Sequence, residues 1–338
     1  MNTPEQSSHW KRSLPALALI FAAPMITEVL PGATRFSSIF VLPIEMCVWG
    51  GGALMIREVV RRRRLGWRSL LFLGLALAIA EECLIQQTSL APLVIQLKGQ
   101  VYARAFGVNY VYLLWALVYE AVFVVFVPVK LVELMFPARR DEGWLNRGGL
   151  IAVAALFVLG AFLAWFSWTQ IARTKVFHLP DYTPPLAAVV IAVAAIVALV
   201  FLALPAPAPG TGRARAPAAW IIGVGGAVWA VLWYGLVLLG FGIAPAFPPL
   251  AATGLGLMLV VVILWLLPKW SQGGTWDRRR DFAVVAGTMI GAMVVSFVGF
   301  IGSAPRDLYF KIIVDVLALI ILVRLGRRVG SSSATNPG

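Results

Sequence analysis

Charge is scarce in this chain. Of its 338 residues only 13% are charged, 60% are hydrophobic, and the mean hydropathy is +0.87. A soluble domain carries roughly 25% charged residues, so this chain cannot cover a globule with polar surface. A lipid solvent removes that requirement. Cysteine is nearly absent: Cys47 and Cys83 both fall in apolar stretches, which excludes a disulfide framework or zinc spacing and leaves two small apolar thiols. Histidine is limited to His9 and His178, both outside those stretches. With no HExxH, GxSxG or Walker A pattern, zinc peptidase, α/β-hydrolase and P-loop ATPase chemistry lose their usual residues, and no metal or cofactor is expected.

Basic residues are what the charge inventory does contain, giving a formal net charge of +13. Their distribution argues against nucleic acid. They form short runs between apolar stretches, as at Arg61 to Arg64 and Arg278 to Arg280. That is a topology signal, and membrane lipids with anionic headgroups are the natural partners. Lys11 and Arg12 precede the first apolar run, and Glu28, Pro31 and Gly32 follow it instead of a small-residue cleavage site, so a retained first helix is expected.

A helix needs about 20 apolar residues to cross a hydrocarbon core of ~30 Å. Such stretches occur at 14–31, 37–57, 67–90, 110–134, 148–170, 184–204, 217–240, 247–268, 281–302 and 307–325. Open β-structure is excluded, because unpaired backbone groups in hydrocarbon cost several kcal/mol each. The fold expected is an all-α, polytopic transmembrane bundle of about ten spans with both termini inside. Under that assignment the inside segments hold Lys11, Arg12, Arg61 to Arg64, Arg68, Arg139, Arg140, Arg147, Arg213, Arg215, Lys269, Arg278 to Arg280, Arg327 and Arg328. The outside loops hold only Arg35, Lys98, Arg104, Arg173, Lys175 and Arg306. The bacterial plasma (inner) membrane is the expected location.

The chain divides into a cytoplasmic segment 1–13, helices one to six over 14–204, a Pro/Ala-rich linker 205–217 that reads as a hinge, helices seven to ten over 218–325, and a disordered tail 326–338. The external segment 91–109 is expected to be an ordinary loop, with an interfacial helix or re-entrant piece as the alternative. Gly50-Gly51-Gly52 and the Gly287/Gly291 pair are expected to serve close helix packing. Lys130 and Glu133 are expected to snorkel at the inner interface. Asp307, Lys311 and Asp315 form an i, i+4, i+8 ladder read as an ion pair.

Ionisable groups inside spans are expensive, near +3 kcal/mol at a helix centre. Spans five to nine have none in their interiors, whereas the first four spans place Glu28, Glu45, Glu81, Glu82 and Glu120 at membrane depth. At 1.5 Å per residue, Glu45 and the Glu81-Glu82 pair lie ~12 Å, and Glu120 ~15 Å, below the outer surface. Glu28 lies nearer that surface and reads as the mouth of the same site. Glu82, Gln86 and Ser89 recur at i, i+4, i+7, one helical face that should avoid lipid. Tyr119 precedes Glu120, and Pro128 is placed to kink that helix. Crowded buried carboxylates cannot all ionise. Glu45, Glu81, Glu82 and Glu120 are therefore the candidate acid/base residues, with Gln86, Tyr119 and Glu28 as candidate substrate contacts.

Two stretches carry a resemblance. Pro24 to Gly32, Gly50 to Glu58 and Ala80 to Gln87, with Gly107 to Tyr110 and Val127 to Pro137, resemble an uncharacterised family of bacterial multi-pass membrane proteins. Glu81-Glu82 also resembles the paired glutamates of the CPBP (CAAX-protease and bacteriocin-processing) membrane peptidases. That family's motif reads EExxxR, and its later helices carry intramembrane histidines. Here Gln86 takes the arginine position and no intramembrane histidine exists. The resemblance implies a CPBP-like scaffold, a divergent or inactive peptidase in which Glu81 or Glu82 activates a water and Glu45, Glu120 and Gln86 orient it. The residues themselves leave two other readings open: a proton-coupled transporter or lipid-handling protein, and a non-catalytic subunit of a membrane complex. Small molecules, lipids and membrane peptides are the substrate classes compatible with them.

Overall fold

The computed structural model describes residues 4–92, 102–205, 215–238, 240, 244, 246–271 and 275–332. The chain is almost wholly helical. Its helices are α1 (Pro4–Pro24, continued by the π-helical turn Met25–Val29), α2 (Phe36–Arg62), α3 (Trp67–Ala80, continued by Glu81–Ile85) and α4 (Tyr110–Met135). They are followed by α5 (Arg147–Val176), α6 (Leu186–Ala203), α7 (Ala219–Val237), α8 (Pro249–Ser271), α9 (Arg278–Phe300) and α10 (Pro305–Ser332). Each apolar stretch read from the sequence falls on one of them. Seven, α2 and α4 to α9, are long and apolar enough to cross a membrane. The other three depart for visible reasons. The apolar part of α1, Ser13–Val29, is short, α3 carries Arg68, Glu81 and Glu82, and α10 carries Lys311 and Asp315 between Arg306, Asp307 and Arg324.

The helix α4 lies at the centre. Every residue from Tyr119 to Val129 is buried. It is packed by α1 and α3 on one side and by α7, α9 and α10 on the other. The helices α5 and α6 cover α2 and α3 from outside, with apolar side chains turned outward along α6 at Val190, Ile191 and Phe201. Aliphatic and aromatic residues on an outer face are the pattern that lipid permits.

Small residues set the closest approaches. Gly50, Gly51 and Gly52 face three different neighbours: the Ile20 backbone of α1, Phe157 of α5 and Leu77 of α3. A Cβ on Gly287 would strike the Gly223 carbonyl of α7, and one on Gly291 the Ala227 carbonyl. This is small-residue packing of the kind membrane helices use in place of a hydrophobic drive.

Polar contacts gather the connections at two ends. At one, Arg57 on α2 reaches the α4–α5 connection, Lys130 on α4 pairs with Asp281 on α9 at 3.4 Å, and Arg280 donates to Pro217 O at 2.9 Å. At the other, Arg35 after α1 donates to Ser303 Oγ at 2.7 Å, and Tyr102 before α4 donates to Phe247 O at 3.0 Å.

Several boundaries differ from the sequence reading. The third helix ends at Ile85, five residues early, because Gln87 takes a left-handed conformation (φ 61°) and turns the chain back. The fifth and tenth helices run longer, to Val176 and Ser332, so the first part of the presumed tail is helical. Residues 206–214 of the linker and 93–101 of the external segment lie outside the described residues. The remainder of that segment is a hairpin, β1 (Arg104–Ala105) paired with β2 (Val108–Asn109), with Phe106 and Gly107 both at positive φ as a two-residue turn requires.

Glu133 does not snorkel. It is buried, and Arg61 grips it through Nε at 2.6 Å and Nη2 at 2.5 Å, with Arg57 Nε at 3.4 Å. The sequence reading treated the end of α4 alone and missed that α2 brings two guanidinium groups to it. In the α10 ladder, Lys311 pairs with Asp315, while Asp307 instead accepts from Ser37 N at 3.0 Å and Ser37 Oγ at 3.1 Å.

Candidate functional site

Backbone geometry singles out the glutamates before their contacts do. Glu28 lies in the π-helical turn Met25–Val29, Glu45 directly precedes Met46–Gly50, Glu81 and Glu82 open Glu81–Ile85, and Glu120 opens Glu120–Phe126. The wider hydrogen bonds are explicit: Leu30 N donates to Met25 O at 2.9 Å and Gln86 N to Glu81 O at 2.8 Å. One residue added to a turn rotates all that follows by about 100°, and such bulges recur at functional sites. For α4 the cause is Pro128. It has no N–H to offer the Val124 carbonyl, and its ring crowds that carbonyl, so the preceding turn widens.

The carboxylates are buried: Glu45 is 5% exposed, Glu81 2%, Glu82 5% and Glu120 4%. Glu28 is half-buried, the least buried of the five. It lies within electrostatic reach of Glu45, Glu81, Glu82 and Glu120. The carboxyl groups of Glu82 and Glu120 come within hydrogen-bonding reach of each other. A bond between them requires that one supply the proton.

Hydroxyl groups hold the outer members. Thr88 Oγ1 donates to Glu82 Oε2, and Ser89 Oγ donates to the same atom at 2.6 Å. Thr34 Oγ1 donates to Glu45 Oε1. Tyr112 is hydrogen-bonded to Thr88. The segment 86–92 that delivers Thr88 and Ser89 is non-helical and largely buried, and it roofs the acids. Asn109 pins it, accepting no helix bond there but donating Nδ2 to Thr88 O at 3.0 Å and Ala91 O at 2.9 Å. Arg104 braces the roof from above, through Leu90 O and Asn109 Oδ1, each at 2.8 Å. Irregular backbone at membrane depth is tolerated only when wrapped by protein in this way.

Ser89 thus meets Glu82 through a turn rather than along one helical face. Gln86 is half-buried at the helix end, outside that hydroxyl grip. Tyr119 stays within electrostatic reach of Glu28 and Glu120. Its hydroxyl donates to Thr27 O, and its ring stacks on Trp115 at 4.6 Å and meets Tyr234 edge-on at 5.6 Å. It ties α4 to α1 and α7.

Some carboxylate oxygens are left without a partner: both of Glu81, Oε2 of Glu45 and Oε2 of Glu120. Among the described residues no lysine or arginine forms an ion pair with any of the five glutamates. Nor are three carboxylate, imidazole or thiol groups placed to hold one metal ion together. The chemistry available is proton binding and exchange between carboxyl groups.

Sequence reasoning did not find Thr34, Thr88 or the π-helical turns. The hydroxyls come from loops, and nothing local in the sequence ties them to an acid on another segment. It also passed over Arg57 and Glu58, which are wholly buried. Arg57 donates to the carbonyls of Arg140 at 2.8 Å and Glu142 at 2.6 Å and lies 3.5 Å over the Trp144 ring, while Glu58 accepts from Trp144 N at 2.7 Å. Compared with protein-family models, with curated proteins and with solved structures, the chain shows no significant match to any of them.

Proposed function

We propose that this protein is a ten-span, N-in/C-in component of a bacterial inner membrane whose acids on α1 to α4 bind and pass protons taken from the outer side, as the working centre of a proton-coupled carrier. The observation that carries the proposal is Glu81: a buried carboxyl whose two oxygens have no partner among the described residues, within electrostatic reach of Glu82 and Glu120. An intramembrane acid normally finds a partner. One left without a partner among the described residues has its binding partner arrive and leave, and the proton is the smallest such partner. The bias of Lys and Arg toward alternate connections, and the gathering of those connections at two ends, support the span count and orientation.

The test is proton binding by the purified protein, read with an indicator dye in weak buffer after an acid step. The wild-type protein takes up protons, and Glu81→Gln removes at least one while the protein keeps its helical content and elution profile. Unchanged proton uptake in Glu81→Gln overturns the proposal. The CPBP-like reading predicts a different loss: membrane-peptide cleavage in cells that disappears in both Glu81→Gln and Glu82→Gln. A purely structural role predicts lower expression or assembly in these variants, with no functional change per folded molecule.

A further inference from the structure

We infer that the crease between α7 and α9, closed on one flank by α10, is a binding site for one acyl chain of an anionic phospholipid, with the lipid phosphate seated on Arg279. The inference rests on the membrane reading of the chain and not on the acid site, from which it is separate.

The groove has a volume of about 580 Å³ and is lined by Trp220 and Val224 of α7, Arg279, Phe282 and Ala286 of α9 and Gly330 of α10. Its origin is the contact at Gly287 and Gly291. The two helices approach so closely there that the floor is glycine and alanine, and no side chain among the described residues fills the crease. Its apolar end is marked by Ile290 and its polar end by Arg279, eleven residues earlier on α9. At 1.5 Å per residue that span is about 16 Å, close to half of a ~30 Å hydrocarbon core. One acyl chain of one leaflet has that reach.

The polar end fixes the headgroup charge. Arg279 donates to Gly330 O at 2.9 Å, which holds it at the groove mouth while its other donors stay exposed. Arg324 and Arg327, also exposed, line a separate groove on another face of α10. Among the described residues no carboxylate pairs with Arg279, and the nearby Asp277 is engaged with Arg280 at 3.2 Å. Trp220, 71% exposed at the start of α7, lies where an indole meets the headgroup level. Basic recesses between helices at the cytoplasmic face are where acidic headgroups bind. A zwitterionic lipid fits the groove equally well but gains nothing from the uncompensated Arg279.

The experiment uses the full-length protein, stripped of lipid in detergent and titrated with phosphatidylglycerol or phosphatidylcholine under native mass spectrometry. The expected result is one tightly held phosphatidylglycerol per chain, preferred over phosphatidylcholine. Val224→Trp fills the groove from an exposed position and should abolish that occupancy. Arg279→Gln should keep an acyl chain bound but lower the headgroup preference roughly five-fold, equivalent to about 1 kcal/mol for the one charge. Wild-type retention of phosphatidylglycerol in Val224→Trp, an unaltered preference in Arg279→Gln, or a second copy of the chain occupying the groove would each overturn the inference. None of these variants touches α1 to α4, so the outcome is independent of proton binding at Glu81.

Discussion

Two buried charged centres in this protein are built on opposite terms, and single residues show the contrast. Arg57 and Glu133 sit among partners: guanidinium to carbonyl, guanidinium to carboxylate, cation over indole. Removing one member strands the others, and breaking a buried pair costs about 3–5 kcal/mol. Glu133→Ala should therefore lower the thermal unfolding temperature in detergent sharply, and a melting curve like that of the wild type would contradict this account of the inner network. Glu81 is the reverse case. Its oxygens have no hydrogen-bond partner among the described residues, and an unsatisfied buried polar group costs about 1–3 kcal/mol. Glu81→Leu should leave the protein at least as stable as the wild type while removing at least one proton from its uptake. A variant that both melts early and loses uptake would show that Glu81 serves packing instead. Which acids lie at membrane depth was legible in the sequence, because a carboxylate in an apolar run stands out. Which of them are partnered was not, because Thr34 and Thr88 reach Glu45 and Glu82 from loops whose path depends on the whole bundle.

Among the elements, α7 and α9 show how far a pattern can be read. Small residues four apart announce a close contact, and the contact exists, but its partner, the Gly223 and Ala227 backbone, is not named by the pattern. Gly291→Leu should separate the two helices, because its side chain has to pass through the Ala227 carbonyl. Overpacking of this kind costs about 1–3 kcal/mol or more. Gly225→Ala on the same α7 meets nothing within 4 Å and should be neutral or slightly stabilising, by up to about 1 kcal/mol. Equal melting temperatures for the two variants would count against the contact. The helix ends were less legible than the helix bodies. An apolar run predicted α3 to continue past Gln86, yet the chain turns at Gln87 and spends 86–92 covering Glu82. A run of apolar residues specifies burial, and a buried turn satisfies it as well as a helix does. The π-helical turns leave no sequence signature apart from Pro128, since a widened turn is chosen by packing on its neighbours.

For the molecule as a whole, the apolar stretches told where the helices lie, because lipid imposes a length rule that acts on each segment separately, and the placement of Lys and Arg adds the proposed orientation. The orientation is checked with single cysteines in a Cys47→Ser, Cys83→Ser background. A cysteine at Phe106 should react with a membrane-impermeant maleimide on intact cells, and one at Asp141 only after the cells are opened; the opposite pattern inverts the topology. What no segment could tell alone is that the acids of four helices share one neighbourhood. Infrared difference spectroscopy of the protonated-carboxyl band, recorded across a pH titration of the wild type, Glu82→Gln, Glu120→Gln and the double variant, tests that claim most directly. If Glu82 and Glu120 hold one proton between them, either single substitution removes or shifts the same band and the double variant adds no further loss. Two separate bands, each lost with its own residue and additive in the double variant, would mean that the carboxyl groups titrate alone and that no shared centre exists.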